Sequence, residues 1–160
     1  MEAIRIEKMG SDSWNDVLRI YRLGIETKNA TFETKVPDWE SWDKSHREDC
    51  RLIAKIANEV VGWASLSNVS GRCVYSGVAE VSIYVDTDYH RQGIGDNLMR
   101  ALIKESEINN IWTLQAGIFP ENKASIKLHQ KHGFRIIGIR EKIGKMDNKW
   151  RDVVLLQRFR

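Results

Sequence analysis

The chain has 160 residues, with 25 Lys and Arg against 22 Asp and Glu, a formal charge of +3 with histidine neutral. This length fits one domain of roughly 100–200 residues, and a composition of 42% hydrophobic and 29% charged residues excludes disordered, collagen-like and coiled-coil chains. No apolar run approaches the roughly 18–20 residues of a membrane span, residues 1–10 lack a signal-peptide core, and Cys50 and Cys73 make neither a disulfide framework nor a zinc knuckle. The expectation is a single domain over residues 1–160 in a reducing cytoplasm, with no membrane contact.

In chain order, residues 3–8 alternate apolar and polar, predicting a half-buried strand. Ser13 is predicted to cap a helix in which Val17, Ile20, Tyr21, Gly24 and Ile25 recur at helical spacing. After an extended stretch at 30–33, Pro37 opens a second helix with Trp39 and Trp42 on one face, a pair suited to core packing. Strands at 51–57 and 60–66 are joined by a tight turn at Asn58-Glu59. A strand at 79–85 runs into a glycine-containing loop and a helix from about 94 to 108, which turns Ile94, Leu98, Ala101 and Leu102 toward a core. A strand at 113–118 and a helix at 122–132 stopped by Gly133 follow. The last element is a long hairpin of 135–143 and 150–159 across Met146-Asp147-Asn148. This order implies an α+β (mixed α/β) fold, a mixed sheet with helices on its faces.

Two stretches carry chemistry. In Ile83-Tyr84-Val85 and then His90-Arg91-Gln92-Gly93-Ile94-Gly95-Asp96, a strand ends, the chain turns, and a helix begins at Gly-x-Gly. Glycine lets the backbone approach a ligand closely, and the free N–H groups of a first helical turn favour an anion. Arg91 adds a mobile positive charge. No Gly-Lys-Ser/Thr follows, which excludes a Walker loop, and the third glycine of a dinucleotide fingerprint is missing. A tight turn with no ligand accounts for the same residues. In the second stretch, Asn122 is a natural helix N-cap, and Ser125 and His129 lie one turn apart. They line a groove beside the first loop or belong to a plain amphipathic helix.

These residues resemble the acetyl-CoA-binding core of the GNAT N-acetyltransferase superfamily: a strand, His90-Arg91-Gln92-Gly93-Ile94-Gly95, a helix, and then Asn122, Ser125, His129 and Gly133-Phe134. Three further blocks resemble its phosphinothricin and methionine sulfoximine acetyltransferase group. They are Ala30-Thr31-Phe32-Glu33-Thr34, Arg72-Cys73-Val74-Tyr75 with Ala79-Glu80-Val81-Ser82-Ile83-Tyr84-Val85, and Asn148-Lys149-Trp150-Arg151-Asp152-Val153. The resemblance runs from about residue 4 to residue 157. It implies a central, mostly antiparallel twisted sheet with a splayed parallel pair and helices on both faces. It further implies acetyl-CoA as cosubstrate, a small amino-acid-like amine as acceptor, direct attack in a ternary complex, and a homodimer. The chain departs from the pattern at His90, where the superfamily usually has Gln or Arg, and at Cys73 and Val74, where small residues are common. His129 stands where the superfamily often has a tyrosine acid.

Acetylating an amine requires a base, a site for developing negative charge and a donor for the leaving thiolate. Glu80 is the candidate base, since the resemblance places the group's glutamate here and flanking Ala79 and Val81 are expected to raise its pKa; a strand glutamate pointing outward is the plain alternative. Backbone N–H groups near Tyr84 and Val85 are candidates for the oxyanion. His129 and Tyr84 compete as the proton donor. The cosubstrate-binding set is Ile83, Tyr84, Val85, Arg91, Gln92, Gly93, Ile94, Gly95, Asp96, Asn122 and Ser125. For the acceptor, Phe32, Tyr75 and Trp150 supply aromatic walls, Arg72 a bidentate match to a carboxylate or phosphinate, and Glu33 a partner for the ammonium.

Residues 121–160 carry 11 basic and 4 acidic side chains, and Lys123, Lys127 and Lys131 recur at four-residue spacing. They steer the 3′-phosphate of CoA or form a solvated face. No aromatics interleave them, so nucleic acid is not an expected partner, and the four histidines lack ligand spacing, so no metal is expected. Two alternatives stay open: acetylation of a protein N-terminus or polyamine, and a non-catalytic acyl-CoA-binding module.

Overall fold

The computed structural model describes residues 2–160. Seven strands form one sheet: β1 Ile4–Lys8, β2 Leu52–Ile56, β3 Glu59–Asn68, β4 Val78–Val85, β5 Thr113–Ile118, β6 Arg135–Met146 and β7 Lys149–Phe159. Their spatial order is β1-β2-β3-β4-β5-β7-β6. Every neighbouring pair is antiparallel except β4 and β5. Four α-helices accompany the sheet among the described residues: α1 Trp14–Glu26, α2 Trp39–Ser45, α3 Ile94–Ile108 and α4 Lys123–Lys131.

Strand alternation separates the two faces. Ile53 pairs with Trp63, and both pack under Val17 and Ile20 of α1 and Trp42 of α2. The next pair along, Leu52 and Ala64, faces the opposite core with Leu98, Met99 and Leu102 of α3. Each such large apolar side chain contributes roughly 1.5–3 kcal/mol when fully buried. Helices therefore cover both faces, as the residue pattern implied.

Several element ends differ from expectation, four of them for a local reason. Ser13 makes no cap bond; it is buried in the short 3-10 turn Ser11–Ser13 ahead of α1. Asp38, not Pro37, opens α2, its carboxylate accepting the Ser41 N–H at 2.8 Å. The β2–β3 turn is Ala57-Asn58, because Glu59 already pairs with Ile56. Finally, β6 runs to Met146, and the hairpin closes over Asp147-Asn148 alone, with φ of 53° and 65°. Positive φ at both turn residues matches the twist of the flanking strands, and Asn tolerates it better than most residues.

Helix α1 crosses β4 at very short range. A Cβ at Gly24 would stand 2.6 Å from two ring carbons of Tyr84. That ring is stacked on Trp63, centroids 4.8 Å apart at 15°, with Tyr21 tilted against it at 5.0 Å. The absent side chain at Gly24 lets Tyr84 lie flat between helix and sheet.

Candidate active site

The parallel pair β4–β5 holds together for a few residues only. Val78, Ala79 and Glu80 pair with Thr113, Leu114 and Gln115, and no pairing continues beyond them. From there β4 stays with β3 as far as Val85, while β5 stays with β7 as far as Ile118. The edge of β4 over residues 81–85 thus has no strand partner on its β5 side, leaving main-chain N–H and C=O groups free for an extended, amide-bearing ligand. A cavity of about 550 Å³ occupies the gap, lined by residues 80–84 of β4, residues 115–119, and Asn122, Ser125 and His129.

At the far end of β4 the chain turns through Asp86 into a short 3-10 turn, Thr87–Tyr89, and then into α3. Asp86 is buried; one oxygen accepts from Arg19 of α1 at 2.6 Å and the other from the Asp88 N–H at 2.9 Å. Burial works to raise its pKa, but the guanidinium and the N–H outweigh it and hold the carboxyl below the usual aspartate range. This pair anchors the loop that precedes α3. Arg91 and Gly93 adopt φ of 65° and 83°, and Gly93 is the N-cap of α3 without a side-chain cap bond. The first N–H groups of α3, at Ile94, Gly95 and Asp96, have no intrahelical acceptor and suit an anion.

The sequence-derived phosphate set divides accordingly. Arg91 and Gln92 are exposed, whereas the Ile94 side chain is core and only its main chain can reach a ligand. Gly95 serves packing, because a Cβ there would meet Leu128 of α4 at 3.1 Å. Asp96 ties α3 to the end of α4, accepting from Lys131 at 3.0 Å and meeting His132 Nε2 at 2.9 Å. Ile83 and Val85 are half-buried and pack against the α3 core.

On the other wall, Asn122 caps α4, its amide oxygen accepting the Ser125 N–H at 3.3 Å and its Nδ2 donating to the Asn29 carbonyl at 3.2 Å. His129 is 2% exposed, and its Nδ1 lies 2.7 Å from the Ser125 carbonyl. A carbonyl only accepts, so Nδ1 carries the proton. Burial, ahead of the opposing Ser125 bond, lowers the ring's pKa and keeps it neutral. Nε2 is then a bare lone pair, buried and without a partner among the described residues. Burial pushes the Tyr84 phenol up, so this side chain stays protonated and able to donate.

Glu80 is exposed, not desolvated as its sequence neighbours suggested, because strand alternation turns Ala79 and Val81 to the opposite, buried face. Its Oε1 accepts from Gln115 Nε2 at 3.1 Å across the parallel register. Phe32 and Glu33 complete this end of the cavity, Phe32 packing edge-on to Phe119 at 4.9 Å. The loop that bears them is pinned by Arg151, which donates to the Lys28 carbonyl at 2.9 Å, reaches Asn29 and Glu121 at 3.3 Å, and lies 3.8 Å over the Phe119 ring.

Three expected acceptor residues stand outside this cavity. The Arg72 guanidinium lies 5.6 Å over the Tyr75 ring on the exposed β3–β4 connection. Trp150 is exposed on β7, with the Lys145 ammonium 5.0 Å over its ring. In their place the structure brings in Gln115, Phe119, Arg140, Ile143 and Gly144. Among the described residues no cluster could hold a metal ion, and no helix is long and apolar enough to cross a membrane.

The open edge of β4 and the exposed Glu80 carboxylate thus share one cleft, and the start of α3 lies beyond the far end of β4. The family model described as Acetyltransferase (GNAT) family matches residues 14–134, and the chain belongs to that family. YwnH of Bacillus subtilis (strain 168) is 35% identical over 147 residues, covering 89% of this chain and 90% of that protein. The L-methionine sulfoximine/L-methionine sulfone acetyltransferase of Pseudomonas aeruginosa PAO1 is 34% identical over 147 residues, covering 88% and 86%. The phosphinothricin acetyltransferase of Sinorhizobium meliloti, solved in complex with AcCoA, shares the fold with a TM-score of 0.89 at 23% identity, covering 98% of this chain and 88% of that one.

Proposed function

We propose that this protein moves the acetyl group of acetyl-CoA to the amine of a small amino-acid-like acceptor, of the phosphinothricin or methionine sulfoximine type, by direct attack in a ternary complex. The observation that carries the reading is the parting of β4 from β5 inside a cavity that also holds Glu80. The free edge at residues 81–85 suits the amides of the pantetheine arm. The start of α3, with Arg91 and Gln92 beside it, suits the diphosphate. Asn122 and Ser125 form the facing wall, and Lys123 and Lys127, both exposed on α4, suit the 3′-phosphate.

Glu80, oriented by Gln115, takes the proton that the ammonium must lose before its nitrogen can attack. The main-chain N–H of Val85, on the open side of β4, faces the thioester oxygen as it gains charge, whereas that of Tyr84 is turned to β3 by the antiparallel register. Of the two candidate donors to the leaving sulfur, Tyr84 fits and His129 does not, because a neutral ring with its proton committed to Ser125 only accepts. We place the chain in the cytoplasm as a single-domain protein that pairs as a homodimer. The outermost strand, β6, exposes Ile136, Ile137, Ile139 and Ile143, which a second copy would cover.

The test is an acceptor panel with acetyl-CoA, read as released thiol: L-phosphinothricin, L-methionine sulfoximine, a polyamine and an alanine-terminated peptide. Turnover is expected with the two amino acids. Glu80→Gln is expected to lower kcat/KM by roughly 10²–10⁴-fold. A change of less than about threefold removes Glu80 as the base.

A further inference from the structure

The acceptor end of the cavity carries charge on two opposite flanks. Glu80 of β4 and Glu33 of the loop after α1 supply carboxylates on one side, and β6 supplies Arg140 on the other. Among the described residues that line the cavity, Arg140 is the one permanent cation, since His129 is held neutral. It forms no ion pair with any described residue. Of the other guanidiniums, Arg151 is committed to the loop carbonyl, Asn29, Glu121 and the Phe119 ring, and Arg72 stands outside the cavity, 5.6 Å over the Tyr75 ring.

Register fixes the layout. Glu80 stands beside Gln115; two residues further along β5, Gly117 stands opposite Leu155 of β7; Val153, two residues before Leu155, stands opposite Arg140 of β6. These positions share one face, so carboxylate and guanidinium rise on either side of a floor made by Gly117, Leu155 and Val153. A ligand resting on that floor meets anions at its amine end and a planar cationic fork at the other. A zwitterion fits; a polyamine would set ammonium against guanidinium.

We propose that Arg140 anchors an oxyanion of the acceptor, its α-carboxylate or its phosphinate, and so selects zwitterionic amino acids over simple amines. The assignment rests on the acetyltransferase reading above and replaces Arg72 in the anchoring role. A guanidinium matches either oxyanion bidentately, and the match is charge-assisted.

The experiment measures KM and kcat for wild type, Arg140→Met and Arg140→Lys with L-methionine sulfoximine, L-phosphinothricin and the decarboxylated amine of each. Arg140→Met is expected to raise the amino-acid KM by about 10- to 100-fold while the acetyl-CoA KM holds, with partial recovery in Arg140→Lys. An effect lost with both decarboxylated amines assigns the carboxylate. An effect that persists with decarboxylated phosphinothricin and is missing with methionine sulfoximine assigns the phosphinate. Equal changes across all four acceptors, or no change, overturn the assignment and leave the acetyltransferase reading standing. A wild type without turnover overturns that reading instead. Calorimetry of L-methionine sulfoximine and of L-phosphinothricin on the CoA-loaded protein then still decides Arg140: heat lost in Arg140→Met supports it, and heat unchanged or missing in wild type refutes it.

Discussion

Gly24→Ala sets two opposing effects against each other, and the geometry decides the sign. In an exposed helix interior this substitution stabilises by roughly 0.5–1 kcal/mol, because alanine restricts the unfolded backbone and favours helix. Here the new methyl would sit 2.6 Å from two carbons of the Tyr84 ring, about 1 Å inside an ordinary carbon contact of roughly 3.5–4.0 Å. The ring has little room to yield, with Trp63 stacked at 4.8 Å and itself buried, and Tyr21 at 5.0 Å. Overpacking of this kind costs about 1–3 kcal/mol, so the net effect is a destabilisation of up to about 2.5 kcal/mol. For a chain of this size that lowers Tm by up to roughly 10 °C. Thermal and urea unfolding of wild type, Gly24→Ala, Tyr84→Leu and the double variant give the coupling directly. In the Tyr84→Leu background the alanine should stabilise. A Gly24→Ala protein more stable than wild type refutes the close approach of α1 to β4.

Arg19→Met should destabilise by about 1–3 kcal/mol at pH 7, less than for a fully buried pair because Arg19 is 45% exposed. Asp86 is held below its ordinary pKa, so its contribution is full above about pH 4 and vanishes as pH falls through the lower folded value. Urea unfolding of the two proteins should therefore converge toward pH 3, and a gap that stays constant with pH contradicts the pairing. Burial lowers the pKa of both His46 and His129, so the unfolded chain takes up protons more readily than the folded one. Stability is then complete above about pH 6.5 and declines on acidification below it. Differential scanning calorimetry at pH 5 and pH 7.5 should show a lower Tm at pH 5, with a shallower slope in His46→Gln/His129→Gln; an unaltered slope removes these rings as the cause.

Local signals placed most of the fold. Periodicity located the strands and helices, Gly133 stopped α4 at a φ of 90°, and Asn122 capped it. Element ends slipped where a neighbouring side chain did better: Asp38 has a carboxylate to offer an open N–H, and Pro37 has none. In the candidate site, the junction of β4, Gly93 and α3 was legible because strand, glycine and helix follow one another along the chain. The acceptor end was not. Gln115 meets Glu80 only through a parallel register, which no local pattern specifies. Arg140 lies in a strand without alternation, Ile136-Ile137-Gly138-Ile139, interrupted by register shifts at 136–138 and 140–144, so its face cannot be read from spacing. Arg72, Tyr75 and Trp150 share motifs with the site residues, but in one chain they line the outside.

The unpaired edge of β4 and the bare start of α3 present peptide groups, which every sequence possesses. Ile83 and Val85 can therefore exchange for other side chains that fill the same space while the main-chain edge is kept, provided the strand stays apart from β5 and Gly93 keeps its left-handed twist. Side chains from four separate elements meet at the opposite end, where a single replacement alters shape and charge together. Handling of the acyl carrier is thus buffered against mutation, and the choice of amine is left open to evolutionary change.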